Sequence, residues 1–465
     1  MQQARPRVSA ALGLVLSLAL PLSGARGQEA VSAAADLQPS WSVEDPAERM
    51  QKFVLDNGLT VLTLEDHRTP VVSFQMWVEV GSRDEARYTG LAHLFEHLMF
   101  KGSKNLEPER HAQIVGARGG RVNAFTSRDY TVYFEDITSE NLPLVIALEA
   151  ERLANLDISE KTLTSEREVV LEERRMRTED QPNGRAFEAL LALAFQAHPY
   201  RHPVIGWRSD VELATVEAAQ EFFDAYYAPN NIVIAIAGSF DTDEALARIR
   251  KHFGKLDPSE LQRNPTLEPE QDGERRAVVH FDVRSPLLAA AWHAPKTGHP
   301  DAEALDVLSQ ILSAGRSSRL YRKLVYDEQQ ALSAEGGYWE LNDAGLFYAF
   351  ATVRPDARIE QVEKLFMREI ERVRRDGVSA AEVEKAKRQL EVAYVNGMAT
   401  SHALASRIGR EVSTFGRVRP LEERIAAIQK VTPEDVKRVA NTYLRSDKRS
   451  VVHVVAPPEA SEDQG

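Results

Sequence analysis

The sequence predicts an α+β protein of two homologous domains, each a mostly antiparallel sheet with helices packed on one face. Three observations predict it. The chain has 465 residues, more than one ordinary core accommodates. Each half runs strands, helices, strands and helices before a closing strand, which suits a sheet layered with helices. The second half also repeats the first. Residues 287–292 answer a strand expected at 71–80, and Tyr443 with the strand 451–455 mirrors Tyr227 with the strand at 232–238. Residues 304–312 fall where the first half carries its most unusual helix, yet they hold no histidine, so one copy is chemically silent.

In chain order, residues 1–27 read as a secretory signal peptide. Arg5 and Arg7 make the positive start, 10–22 the apolar core, and Ala25-Arg26-Gly27 the small residues at the cleavage point. The apolar run is too short for a membrane span. The mature protein is therefore expected to be periplasmic or secreted. Residues 28–48, rich in Ala, Ser and Gln, are expected to be a disordered mature N-terminus. A first domain is expected at 49–256, a Pro-, Glu- and Gln-rich linker at 257–275, a second domain at 276–458, and a disordered tail at 459–465.

Within the first domain, Asp56-Asn57-Gly58 between two β-branched runs predicts a hairpin. A strand at 71–80 follows, then a loop to Gly90, a helix on the far side, and a second helical region at 101–116. Residues 119–126 and 130–134 read as strands joined by a turn at Ser127-Arg128-Asp129. Helices are expected at 141–155, 165–177 and 218–227. His198 and His202 are four apart, but Pro199 and Pro203 break any helix there, so the segment reads as a structural loop. In the second domain, Thr432 and Pro433 open the last long helix as N-cap and first helical residue, with Glu434 and Asp435 at the positive end of its dipole.

The helix after Gly90 reads Leu91-Ala92-His93-Leu94-Phe95-Glu96-His97-Leu98. At about 100° per residue, His93 and His97 lie roughly 40° apart, and Glu96 lies within about 60° of His93. Two imidazoles so placed can grip one Zn²⁺, and the adjoining carboxylate can reach a water on it. This H-x-x-E-H order is the inverted form of the commoner zinc-protease helix. Alone it does not decide the matter, because lone histidines on apolar helices usually serve packing.

A third ligand has its own reason. Ser165 and Glu168 read as a capping box, and Glu166, Val169, Val170 and Glu173 then form one buried stripe. Two acids sharing a face with two valines are costly unless something pairs with them. A metal would do so for Glu173, and a hydrogen bond to a ligand for Glu166. Glu168 and Glu172 fall on a wetter face.

With these residues in view, the chain resembles the pitrilysin, insulin-degrading enzyme and mitochondrial processing peptidase family of zinc metallopeptidases, as a short two-domain member. The family's inverted helix is followed by a distant glutamate, with a second one seven positions before it. His93, Glu96, His97, Glu166 and Glu173 fill all five places. Asp56-Asn57-Gly58-Leu59, Gly81-Ser82-Arg83-Asp84-Glu85, Asn123-Ala124-Phe125-Thr126 and Tyr226-Tyr227-Ala228-Pro229-Asn230-Asn231 match too. The resemblance implies a zinc-dependent endopeptidase with one Zn²⁺ per chain on His93, His97 and Glu173. It implies Glu96 as general base, Glu166 as support to a ligand, and Asn123, Ala124, Phe125 and Thr126 as a strand that pairs with extended substrate. The rival readings are a non-catalytic assembly subunit, as among the family's respiratory-complex relatives, and an exported zinc-binding protein without turnover.

Composition narrows partners. The formal charge is −13, and residues 1–27 hold three arginines and no acid, so the mature chain stands at −16. That argues against nucleic acid; the substrate that the resemblance implies is a peptide or an unfolded protein. With no cysteine, disulfides and thiolate zinc sites are excluded. One part is missing. The family's active enzymes draw an arginine and a tyrosine from a later domain to hold the oxyanion, and on the matching register this chain has Val325 and Leu332. Arg319 and Tyr321 stand nearby at the wrong spacing. The expectation is a heterodimer with a metal-free paralogous subunit, or a homodimer.

Overall fold

The first half builds a sheet from β1 (Gln51–Val54), β2 (Thr60–Glu65), β3 (Val71–Val78), β4 (Arg121–Thr126), β5 (Thr131–Thr138) and β6 (Ile232–Gly238). This computed structural model describes residues 45–263 and 266–458. The expected signal at 1–27, the stretch 28–44 and the tail 459–465 lie outside them. Of the N-terminus expected to be disordered, 45–48 belong to the structure. Asp45 is buried, the short helix Pro46–Arg49 follows, and Arg407 reaches the Asp45 carboxylate at 3.3 Å.

The sheet order is β1-β2-β6-β3-β5-β4, with only β2 and β6 parallel. The second half adds β7 (Arg275–His280), β8 (Leu287–Ala294), β9 (Ala331–Trp339), β10 (Gly345–Val353) and β11 (Arg449–Val455). Their order is β7-β11-β8-β10-β9, with only β7 and β11 parallel. Setting β1 aside, the two orders and strand directions coincide, so the duplication legible in the sequence is a duplication of topology. The linker expected at 257–275 holds no helix or strand through its described residues up to 274, and Arg275 already belongs to β7.

Each sheet carries its own half's helices on one face, and a helix from the other half covers the second face. On β3, Phe74, Met76 and Val78 point into the core beneath the helix Leu91–Leu98, while Trp77 points the other way. There it meets Leu404, Ala405, Ile408 and Val412 of the helix Ser401–Phe415, which belongs to the second half. Reciprocally, Leu287, Ala289 and Ala291 of β8 pack against Ala186, Leu190 and Leu191 of the helix Pro182–Ala194. Burial on both faces explains why β6 and β8 read as unbroken apolar runs and not as alternation. Among the described residues, no helix is long and apolar enough to cross a membrane.

The exchanged helix fits closely. A Cβ on Gly409 would come within 2.3 Å of Trp77 Nε1, so Gly409→Ala is expected to destabilise the protein by about 1–3 kcal/mol through overpacking. Urea unfolding with an unchanged m-value checks it.

Two expected elements differ, and one residue of the second is turned outward. The region at 101–116 is helical only over Arg110–Gly116, because Gly102 turns the chain at φ +100°. The helix expected at 165–177 spans Glu160–Arg174. Its N-cap is Ser159, whose hydroxyl accepts the Thr162 N–H and whose own N–H reaches the Thr162 hydroxyl, so this box preempts the one read at Ser165 and Glu168. Val169 of the expected buried stripe is exposed, whereas Glu166 and Val170 are buried.

Candidate active site

The helix Leu91–Leu98 is anchored from the loop before it. Gly90 stands at φ +94°, where a Cβ would press to 2.8 Å on the Ile205 carbonyl. The two carboxylate oxygens of buried Glu85 accept the N–H groups of Gly90 and Ala92 at 2.8 and 2.9 Å, satisfying first-turn donors that no helical carbonyl can reach. Leu94, Phe95 and Leu98 sink into the core, Phe95 against Phe222, Phe223 and Tyr227. That leaves His93, Glu96 and His97 on the opposite side, lining a cleft of about 1130 Å³.

The helix Glu160–Arg174 delivers Glu173 to the same point. Glu173 Oε2 lies 3.7 Å from His93 Nε2 and 3.3 Å from His97 Nε2, and ligand atoms of all three side chains fall within 4.8 Å of one another. A tetrahedral zinc with bonds of about 2.0–2.1 Å needs donors about 3.4 Å apart, so this set fits the ion. A second cluster, His111, Glu135 and Glu149, is as tight. There, buried Arg152 lies 2.5 Å from Glu149 and already supplies the positive charge.

Glu166, the other acid on that helix, is buried with one oxygen 3.6 Å from His97 Nδ1 and the other 3.3 Å from Lys101 Nζ. Burial, reinforced by the neighbouring His97, lowers the His93 pKa to about 4. Burial opposes the charge of His97 too, but hydrogen bonding with Glu166 and Glu173 outweighs it and raises that pKa to about 9. Burial raises the Glu96 carboxyl above its ordinary value, against the Thr126 hydrogen bond that lowers it.

Asn123, Ala124, Phe125 and Thr126 form the end of β4, the edge strand of the first sheet, and line the same cleft. Among the described residues, no sheet strand pairs with the main-chain edge of β4 away from β5. Thr126 has a further contact that the sequence does not signal: its Oγ1 donates to Glu96 Oε2 at 2.7 Å. Only the strand-to-helix register reveals this, and only the packing of two helices reveals Lys101, just past the first of them, on Glu166. Thr126→Val keeps the shape and removes the donor, so peptide cleavage is expected to fall about tenfold with metal content unchanged. Steady-state kinetics beside metal analysis checks it. His198 and His202 flank a short turn, Pro199–Arg201, away from the ligand set. His198 instead faces Asp343 at 3.4 Å.

Two family profiles match the chain: "Insulinase (Peptidase family M16)" over residues 60–207 and "Peptidase M16 inactive domain" over 214–390. "Zinc protease PqqE" of Helicobacter pylori is 31% identical over 408 residues, 86% of this chain and 92% of that protein. The chain belongs to the M16 peptidase family. A solved structure described as a protease from Helicobacter pylori shares 31% identity and a TM-score of 0.83, covering 87% of this chain and 99% of its own. Another similar protein is the "Probable mitochondrial-processing peptidase subunit beta, mitochondrial" of Arabidopsis thaliana. It is 28% identical over 87% of this chain and 77% of that protein.

Proposed function

We propose that this M16 chain is a zinc-dependent endopeptidase hydrolysing peptides or unfolded polypeptides, with one Zn²⁺ held by His93, His97 and Glu173. The observation that carries the reading is the convergence of those three donors beside Glu96 and an open strand edge. When bound, zinc supplies a Lewis acid that makes water a nucleophile at neutral pH. An extended peptide adds to the free edge of β4, using main-chain groups and so tolerating many sequences. Glu96, its carboxylate oriented by Thr126, takes the proton of the attacking water and returns it to the departing amine nitrogen. Glu166 holds the His97 ring by its Nδ1 so that Nε2 faces Glu173, and Lys101 holds Glu166. The test is zinc content and cleavage of unstructured peptides with and without a chelator. About one zinc per chain and chelator-sensitive cleavage are expected; zinc-independent cleavage, or none in any assembly state, overturns the reading.

The working form is a heterodimer with a metal-free paralogous subunit, or a homodimer, that supplies oxyanion donors. Val325 packs against the core of the second half, Leu332 is an exposed aliphatic side chain, and Arg319 is tied to Glu382 at 2.7 Å. One missing donor costs about 3–4 kcal/mol in the transition state. Turnover per zinc by the isolated monomer as high as that of the assembled form removes the need for a partner. The mature chain begins near Gln28 and acts in the periplasm or outside the cell. N-terminal sequencing of native protein checks this, and a chain still starting at Met1 refutes it.

A further inference from the structure

We infer that Arg128 is a specificity-determining residue that takes a carboxylate of the bound peptide, an acidic side chain or the C-terminus, close to the scissile bond. The inference rests on the peptidase reading and deepens it.

Arg128 lies in the turn just after β4 and lines the same cleft as His93, Glu96 and His97. It is only 4% exposed. Among the described residues its guanidinium has neither an ion pair nor a hydrogen bond, and Nε is enclosed without a partner. A buried guanidinium presents five donors and no acceptor, and leaving such a group unsatisfied is costly. What surrounds it is aromatic: the guanidinium carbon stands 4.5 Å from the Trp339 ring centre and 5.9 Å from that of Phe187. Those rings compensate part of the lost hydration but offer no acceptor. Burial pulls the pKa of Arg128 down to about 10, with the charge of Asp129 opposing, so the group is still a cation at neutral pH.

The nearest acid is unavailable. Asp129 is bound by Arg83 at 2.9 Å, by the Tyr200 hydroxyl at 2.5 Å and by the Asn342 N–H at 3.2 Å. The other arginine lining the cleft, Arg177, is spent on Glu173 at 2.6 Å. The backbone cannot swing Arg128 elsewhere. Ser82 and Arg83 donate to the carbonyls of Ser127 and Arg128, and a Cβ on Gly81 would overlap the Arg128 carbonyl at 2.4 Å. A largely buried, unpaired fork on a pinned backbone beside a peptide-binding edge is suited to a carboxylate, which it can grip with two parallel hydrogen bonds.

The test uses a Glu96→Gln chain, which binds peptide without cutting it, and fluorescent peptides in pairs. Each pair differs by Glu against Gln at one position, or by a free against an amidated C-terminus, so the two sources of carboxylate are separate arms. One pair is expected to favour the carboxylate form by about 10- to 100-fold. Arg128→Gln is expected to erase that preference, and Arg128→Lys to keep a weaker one. No preference at any position overturns the inference even if the Gln variant does not fold, and so does a preference that survives in Arg128→Gln. A wild-type chain that cuts no peptide in any assembly state refutes the peptidase reading instead, which the binding assay does not depend on.

Discussion

Glu96→Gln is expected to leave zinc content at the wild-type level and lower peptide cleavage by about 10²- to 10⁴-fold, the range associated with a positioned general base. The amide has the size of the carboxylate and does not belong to the converging set of His93, His97 and Glu173, so the ligands are untouched. What is lost is the capacity to accept a proton. Its environment suits that task. Burial raises the Glu96 pKa, making it a better base, while the Thr126 hydrogen bond and the nearby His97 hold the rise in check. The hydrogen bond also orients the carboxylate: Oε2 accepts from the Thr126 hydroxyl at 2.7 Å. In the Gln variant Thr126 can still donate to the amide oxygen, so the peptide site keeps its shape and substrate affinity is expected to hold. Metal analysis, single-turnover cleavage and peptide binding on one preparation check all three. Wild-type turnover removes Glu96 from the mechanism.

How much of this was legible in the sequence depends on whether a feature is local. The inverted histidine motif is set by helix geometry alone, so His93, Glu96 and His97 share a face in the structure as their spacing requires. Strands β2 to β6, β8 and β11 follow from apolar, aromatic or β-branched segments bounded by turn residues, whereas β7, β9 and β10 were not foreseen; β9 even carries Glu335, Gly336 and Gly337. The start of the helix carrying Glu173 was not legible, because Ser159 and Ser165 both offer hydroxyls and only the first has extended backbone at φ −120°. Val169 was misplaced because it sits with Glu172 and Glu173 on the side that lines the cleft, while Glu166 and Val170 turn inward. The exchanged helices Pro182–Ala194 and Ser401–Phe415 were beyond reach, since an apolar helix face does not say which sheet covers it. Thr126 on Glu96, Lys101 on Glu166 and Arg128 over the Trp339 ring are tertiary contacts between segments, which periodicity cannot encode.

Glu173→Gln is expected to weaken zinc affinity by more than about 100-fold, past the 10- to 100-fold typical of residues that only support a ligand. Glu166→Gln is expected to fall within that lower range, and Glu172→Gln to bind zinc as wild type. The three acids share one helix and differ in what they face. Glu173 places one oxygen between the two histidine rings, and Arg177, itself largely exposed, lies 2.6 Å from its other oxygen. Hydrogen bonding with His97 keeps its carboxyl below the usual range, so it is ionised and ready to bind a cation at neutral pH. Glu166 is buried behind His97 and touches that ring only from the Nδ1 side. Glu172 is exposed and pairs with Arg175 at 2.6 Å, a surface contact with no line to the histidines. Competition against a zinc-binding dye ranks the three variants. A Glu172→Gln protein that loses zinc as readily as Glu173→Gln shows that the stripe was assigned to the wrong neighbour. Equal affinity in Glu166→Gln and Glu173→Gln makes both carboxylates ligands, and the site is then not the three-donor set drawn from its geometry.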